Sequence, residues 1–319
     1  MSDSASLSVL VGGTIAIDHV KTPTAEGADL LGGSAAYAAL SSSFFCEDVR
    51  LVGIIGRDFP AHHLQMLENR GICLNGVEQS EGESFTWSGE YLENLNERVT
   101  HRVGLNVLES WEVKIPAEIA DSQVVVLANM SPDNQLQMLA QCTHPRRFVV
   151  ADTMDLWISI ANERLHEVLK QLDLFVINES EARDFAGTAN LIEAGRLLLG
   201  KGPRFVVIKL GEFGAMLFSS EGDETEFPCP KSFFRCAAFP LRGIADPTGA
   251  GDSFLGGLAG YLAAHSKGEF TFENLRQAVT QGSVVASFTC EAFSTRRLEE
   301  IDSSKVEARL QRFREMTAW

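Results

Sequence analysis

The chain lacks the marks of several large protein classes. No G-x-G-x-x-G follows its first apolar run and no G-x-x-x-x-G-K-[ST] occurs, so neither a dinucleotide oxidoreductase nor a P-loop enzyme is expected. Basic residues are outnumbered: 27 Lys and Arg against 43 Asp and Glu leave a formal net charge of −16. That balance argues against nucleic acid or an anionic membrane surface as a partner, although local phosphate recognition by backbone amides is untouched by it. The cysteines (Cys46, Cys73, Cys142, Cys229, Cys236, Cys290) contain no C-x-x-C pair and read as reduced, packing thiols. His62 and His63 have no metal-ligand spacing to other His or Cys. No stretch is apolar for the length of a membrane span, and Met1 to Ser8 lacks the charged and apolar pattern of a secretory signal. A cytoplasmic protein that binds neither nucleic acid nor membrane is expected.

What is present centres on Asp246-Pro247-Thr248-Gly249-Ala250-Gly251-Asp252-Ser253-Phe254. The stretch lies between a strand-like run, Phe239 to Ile244, and an apolar small-residue run, Phe254 to Ala264, that reads as a helix. Pro247 cannot donate to a strand ladder and stops the incoming strand. Gly249 and Gly251 free the backbone to turn its N–H groups toward one point at the helix start, where amides and the helix dipole attract an anion. Asp252 among those amides is out of place for anion binding alone. It makes sense if it accepts a proton from a hydroxyl that then attacks a phosphoryl group. The competing reading is an ordinary glycine turn with an aspartate capping a helix.

These residues match without a gap a signature of the ribokinase-like (PfkB-type) carbohydrate kinase family, Asp-x-x-Gly-Ala-Gly-Asp-x-Phe, and the resemblance extends in order from Leu7 to about Thr295. It implies a single ribokinase-like α/β domain over 1–319, a mainly parallel central sheet flanked by helices, with a small β-sheet lid from roughly 12–20 and 84–105. The activity it implies is transfer of phosphate from ATP, with Mg²⁺, to a hydroxyl of a small sugar-like substrate. Asp252 would be the base and the Gly249-Ala250-Gly251 backbone the anion hole. Asp18, at the end of the first strand segment, falls where the family binds substrate hydroxyls, and a carboxylate can take two such donors. Gly32-Gly33, opening a helix that Ser34 could cap and that runs to about Phe45, resembles the family's sugar-site motif. There the chain departs from the pattern: many members carry Asn where this one has Tyr37, which offers one hydroxyl and a ring face.

The remaining candidates follow the same order. Phe85 to Tyr91 and Arg98 to Gly104, joined by Asn94-Leu95-Asn96-Glu97, read as an inserted hairpin, the expected lid and a possible homodimer contact. Gln123 to Asn129, Arg147 to Asp152, Leu174 to Asn178 and Phe205 to Leu210 are strand-like runs buried on both faces. Helices are expected between them at Asp133 to Cys142, Ile158 to Leu172, Glu179 to Ala186 and Leu191 to Leu199, which places ligands at the strands' carboxyl ends. Asn178 and Glu181 resemble the family's Asn-x-x-Glu motif, acting through water on Mg²⁺ and the phosphates; the alternative is a helix cap. Lys209 and Gly211 resemble a nucleotide-side Lys/Thr-x-Gly segment, against a plain hairpin. Thr248 shapes the loop. Gly282 and Ala286 lie on a small-residue face of a helix expected over Phe272 to Phe288, where the family borders adenine. Glu291 to Ser294 falls where several members bind a monovalent cation, so Asp246 and K⁺ are carried as candidates. Val306 to Phe313 reads as a closing amphipathic helix. The rival readings are a nucleoside kinase on the same fold, favoured by Tyr37, Phe85, Trp87 and Tyr91, and a non-catalytic ligand-binding homologue.

Overall fold

Short runs of Val, Ile, Leu and Phe, too short for helices and apolar on both faces, dictate strands that must be covered from both sides. The computed structural model describes residues 6–318 apart from 94, 96 and 222–226. Asn94 and Asn96 of the expected hairpin turn, and residues 1–5, therefore lie outside the described residues. Strand β1 (Val9–Gly12) enters the interior of a large sheet, and the chain then leaves it through β2 (Ala16–Lys21) and β3 (Glu26–Gly32). Helix α1 (Ser34–Ser42) leads back to β4 (Val49–Ile55), α2 (Ala61–Asn69) and β5 (Cys73–Gln79). A hairpin of β6 (Phe85–Tyr91) and β7 (Arg98–Gly104) follows. Then come β8 (Val124–Leu127), α3 (Pro132–Gln141), β9 (Phe148–Ala151), α4 (Asp155–Ile160) and α5 (Asn162–Leu169). The alternation continues through β10 (Leu174–Asn178), α6 (Glu179–Ala186), α7 (Leu191–Leu199) and β11 (Phe205–Lys209). Strands β12 (Ala215–Ser219) and β13 (Phe233–Cys236) precede four closing helices, α8 (Ala250–His265), α9 (Phe272–Thr289), α10 (Arg296–Glu300) and α11 (Ser303–Thr317).

The large sheet has nine strands in the order β13-β12-β11-β10-β9-β8-β1-β4-β5, parallel except where β12 pairs antiparallel with β11 and β13. One apolar layer, with Val9, Tyr37, Leu258 and Val285, fills the α1, α8 and α9 face. A second, with Leu10, Leu165, Phe175 and Phe218, fills the opposite face. The second sheet has four strands, β3-β2-β6-β7, with β2 and β6 parallel. Helices α1, α8 and α9 approach closely because glycines line their contacts. A Cβ on Gly260 would lie 2.6 Å from the Ser42 carbonyl, and one on Gly282 would lie 2.6 Å from the Phe254 carbonyl. Among the described residues no helix is long and apolar enough to cross a membrane.

Several expectations need correction. Phe239 to Ile244 is not a strand, because β13 already ends the sheet and leaves this run without a partner. The helix expected over Ile158 to Leu172 is two helices, broken at Ala161 with φ −131°. Ser34 does not cap α1: the N-cap is Gly33, and the Ser34 hydroxyl instead donates to the Asn129 carbonyl at 2.9 Å. The first strand stops at Gly12, so Asp18 stands in the second sheet rather than on a continuation of β1.

Candidate active site

The carboxyl ends of β1, β8, β9, β10 and β11 and the N-terminus of α8 converge on one side of the large sheet, and the second sheet stands over them. Gly249 takes the left-handed conformation (φ 75°) as N-cap of α8, which sets Ala250, Gly251 and Asp252 in the first turn. Gly249 can come no closer: a Cβ there would run into the ring of Tyr37. The loop before it is fixed by Asp246, which is wholly buried. Its Oδ1 accepts from Thr248 N (2.8 Å) and its Oδ2 from Ser294 N (3.1 Å). Ser294 in turn donates to the Leu31 carbonyl at 2.6 Å, with Tyr37 beside it. One hydrogen-bonded chain thus ties the end of β3, the 290–294 loop and the glycine loop together.

Four acidic groups crowd this space. Burial pushes the Asp252 carboxyl up to about 6, with the charge of Asp152 adding to the rise and the Lys209 ammonium opposing it. Burial first, then Asp246 and Asp252, pushes Asp18 up to about 8. Asp18 is 5 % exposed, and its Oδ1 is buried without a protein hydrogen-bond partner, a cost that a water, an ion or a ligand normally meets. Gly32 lets this carboxylate in, since a Cβ at Gly32 would collide with it. Gly33 (φ 91°) would bring a Cβ against the backbone of Thr14 and Ile15. Register places Trp87 of β6 and Leu30 of β3 beside Asp18 on the same face of the second sheet. That sheet touches the glycine loop where Thr248 Oγ1 lies 3.4 Å from the Tyr91 hydroxyl.

At the ends of β10 and β11 the structure shows both a cap and a charge cluster. Asn178 Oδ1 accepts from Glu181 N (2.9 Å) and Glu181 Oε2 accepts from Asn178 N (3.1 Å), a capping box that starts α6. Burial and the neighbouring Asp152 push the Glu181 carboxyl up to about 7. Lys209 donates to Asp152 Oδ2 at 2.7 Å, and its Nζ stands 3.0 Å from where a Gly251 side chain would begin. Asp152, which the sequence marks only as ending a strand, is brought against Lys209 here; its place at a strand's carboxyl end was the available signal.

The other candidates have clear packing or turn surroundings. Tyr37 is 2 % exposed, packed beneath Gly249 rather than offering an open ring. Gly282 faces α8, where a Cβ would meet the Phe254 carbonyl, and Ala286 is partly buried against the core. Gly211 begins the tight turn of a β11–β12 hairpin with φ 55°. Among the described residues no group of three or more His, Cys, Asp or Glu could hold a metal ion. A cation here would thus draw on single carboxylates and a ligand's own oxygens. Glu181 would suit that part, because a nearby cation would favour its charged form against the rise that burial causes.

Comparison with known proteins covers nearly all of this architecture. The profile described as pfkB family carbohydrate kinase matches residues 20–301. A cytidine kinase of Thermococcus kodakarensis is 30 % identical over 267 residues, 82 % of this chain and 90 % of that protein. The crystal structure of Methanocaldococcus jannaschii nucleoside kinase, an archaeal member of the ribokinase family, superposes with a TM-score of 0.74 at 18 % identity, covering 97 % of this chain and 100 % of that one. A putative ribokinase II from E. coli, in complex with ATP and Mg²⁺, superposes with a TM-score of 0.77 at 16 % identity over 96 % of this chain and 99 % of that one.

Proposed function

The chain belongs to the pfkB family of carbohydrate kinases, phosphotransferases with a hydroxyl acceptor, and from that premise we propose that its acceptor is a nucleoside held under the second sheet. ATP and Mg²⁺ fit the phosphoryl donor side. The observation that carries the nucleoside reading is the pair Asp18 and Trp87: a buried carboxylate oxygen with no partner stands beside an indole on one sheet face. A ribose hydroxyl pair meets the first and a base ring meets the second. The likeness to a cytidine kinase supports the same reading.

In this reading the acceptor hydroxyl gives its proton to the Asp252 carboxylate as its oxygen bonds the γ-phosphorus and the bond to ADP breaks. A base held near pKa 6 is largely ionised at neutral pH yet more basic than a free aspartate. The amides at the start of α8, at the N-cap Gly249 and at Gly251, take up the negative charge of the transferring group, whereas the Ala250 amide expected beside them donates to the Pro247 carbonyl at 3.2 Å; Lys209 adds a cation beside Gly251. Mg²⁺, with Glu181 and Asn178 acting through water, would neutralise the phosphate oxygens. The two loops that Asp246 joins to Ser294 are the proposed place for a K⁺ ion, held largely by backbone carbonyls. The second sheet acts as a lid. Its edge strand β7, with Val99 and Val103 about half exposed, is the proposed contact of a homodimer, and the reducing cytoplasm suits six free thiols.

The test is ADP release with Mg²⁺-ATP across nucleosides, free sugars and sugar phosphates, with Asp252→Ala as the control. Turnover on cytidine or another nucleoside, lost in the variant, is expected. Turnover on free sugars alone would return the acceptor to the sugar reading.

A further inference from the structure

We propose that Asp152 is a positioning residue for phosphoryl transfer, anchoring the Lys209 ammonium over the first turn of α8 where the γ-phosphate must lie. Asp152 follows β9 directly and Lys209 ends β11, with β10 between them in the sheet. Two strand spacings make a gap of about 10 Å, so the lysine stem must lean across the end of β10 to make its 2.7 Å bond. This posture carries its ammonium away from solvent, to 17 % side-chain exposure, and to Gly251.

The anchor is itself rigid. Asp152 Oδ1 accepts from Thr153 N at 2.7 Å, its carbonyl accepts from Gln135 Nε2 at 3.0 Å, and its amide donates to the Leu127 carbonyl at 3.1 Å. The need for an anchor comes from the neighbours. Lys209 feels the charges of Asp152, Glu181 and Asp252 together, yet it bonds Asp152 and leaves the other two free. A lysine has rotors enough to reach any nearby carboxylate. Without Asp152 it would fold onto Glu181 or onto Asp252, away from the phosphate and against the base. An ammonium has three donors, so the bond to Asp152 leaves others for a phosphate oxygen.

The inference rests on Lys209 being a phosphate ligand, and the experiment separates the two. Wild type, Asp152→Asn, Lys209→Met and the double variant are titrated calorimetrically with Mg²⁺-ADP and with the Mg²⁺ complex of a non-hydrolysable ATP analogue. No acceptor is needed. Asn keeps an oxygen for Thr153 N while removing the charge. The ratio of the two dissociation constants cancels any general gain from deleting a carboxylate near phosphates and isolates the γ-phosphate. Losing one charge-assisted hydrogen bond should shrink that preference by about tenfold in each single variant. The double variant should be no worse than Lys209→Met, because Asp152 works through the lysine. Losses that multiply in the double variant, or an Asp152→Asn protein with the wild-type ratio, overturn the proposal while leaving Lys209 in place. A Lys209→Met protein with the wild-type ratio overturns both.

Discussion

The ring of Tyr37 fills the space that a side chain on Gly249 would need, so the glycine turn at the start of α8 rests directly on an aromatic floor. The same tyrosine reaches Ser294, which holds Asp246. Gly249 combines this contact with φ 75°, two independent reasons for refusing a side chain. Gly251, by contrast, faces only the flexible end of Lys209, at 3.0 Å.

Gly249→Ala should therefore cut kcat by on the order of 10²-fold, whereas Gly251→Ala should chiefly weaken ATP and cost less turnover. Steady-state kinetics of both purified variants, with melting curves to confirm folding, checks the contrast. Equal kcat in the two proteins would show that the Tyr37 floor does not matter.

Asp252→Asn should lower kcat by roughly 10²–10⁴-fold, the usual worth of a general base. The proposed base must be ionised to act, so kcat/KM should fall as pH drops through about 6, where burial and Asp152 have moved this carboxyl. A pH–rate profile over pH 5–8 measures it. A flat acidic side would falsify the assignment.

Asp18→Asn should abolish acceptor binding and yet stabilise the fold. The Asp18 carboxyl is raised from 3.8 to about 8 in the folded protein, so the native state prefers it protonated. That preference contributes stability below about pH 4, which is lost as pH rises toward 8. The variant's Tm advantage should thus be absent at pH 4 and reach on the order of 5 °C at pH 8. Scanning calorimetry at both values decides, and an advantage that shrinks with rising pH contradicts the mechanism.

Gly32→Ala should raise the acceptor KM well over tenfold and leave the ATP KM near wild type, because the new methyl displaces Asp18 and nothing on the phosphate side. Varying each substrate at saturation of the other gives the two constants. A rise in both would mean that the second sheet, not Asp18 alone, had moved.

The alternation from β8 to β11 was legible because each strand is buried on both faces and each helix repeats its apolar positions, which are local signals. The glycine loop was legible because its residue types follow from backbone needs at one turn. Partnership was not legible. Phe239 to Ile244 has strand-like residues and no neighbour, whereas Glu26–Gly32 and Cys73–Gln79 went unread though they pair with β2 and β4. Asp152 and Lys209 are 57 positions apart and meet only because β9 and β11 flank β10. The stripe at Gly282 and Ala286 is ambiguous in the same way: small residues announce close approach without naming what approaches, and here for Gly282 it is the Phe254 carbonyl.

The hydroxyl pair of Thr248 and Tyr91, with the small apolar cluster of Val20, Leu30 and Tyr91 behind it, is a weak latch between the second sheet and the glycine loop. A neutral hydrogen bond of this length is worth about 1 kcal/mol or less, so it lengthens the dwell of a closed state by only a few-fold. If the second sheet closes as the proposed lid, such motions run on the microsecond to millisecond scale, faster than a common turnover of about 10 s⁻¹. A lid held by so weak a latch should open many times in each catalytic cycle.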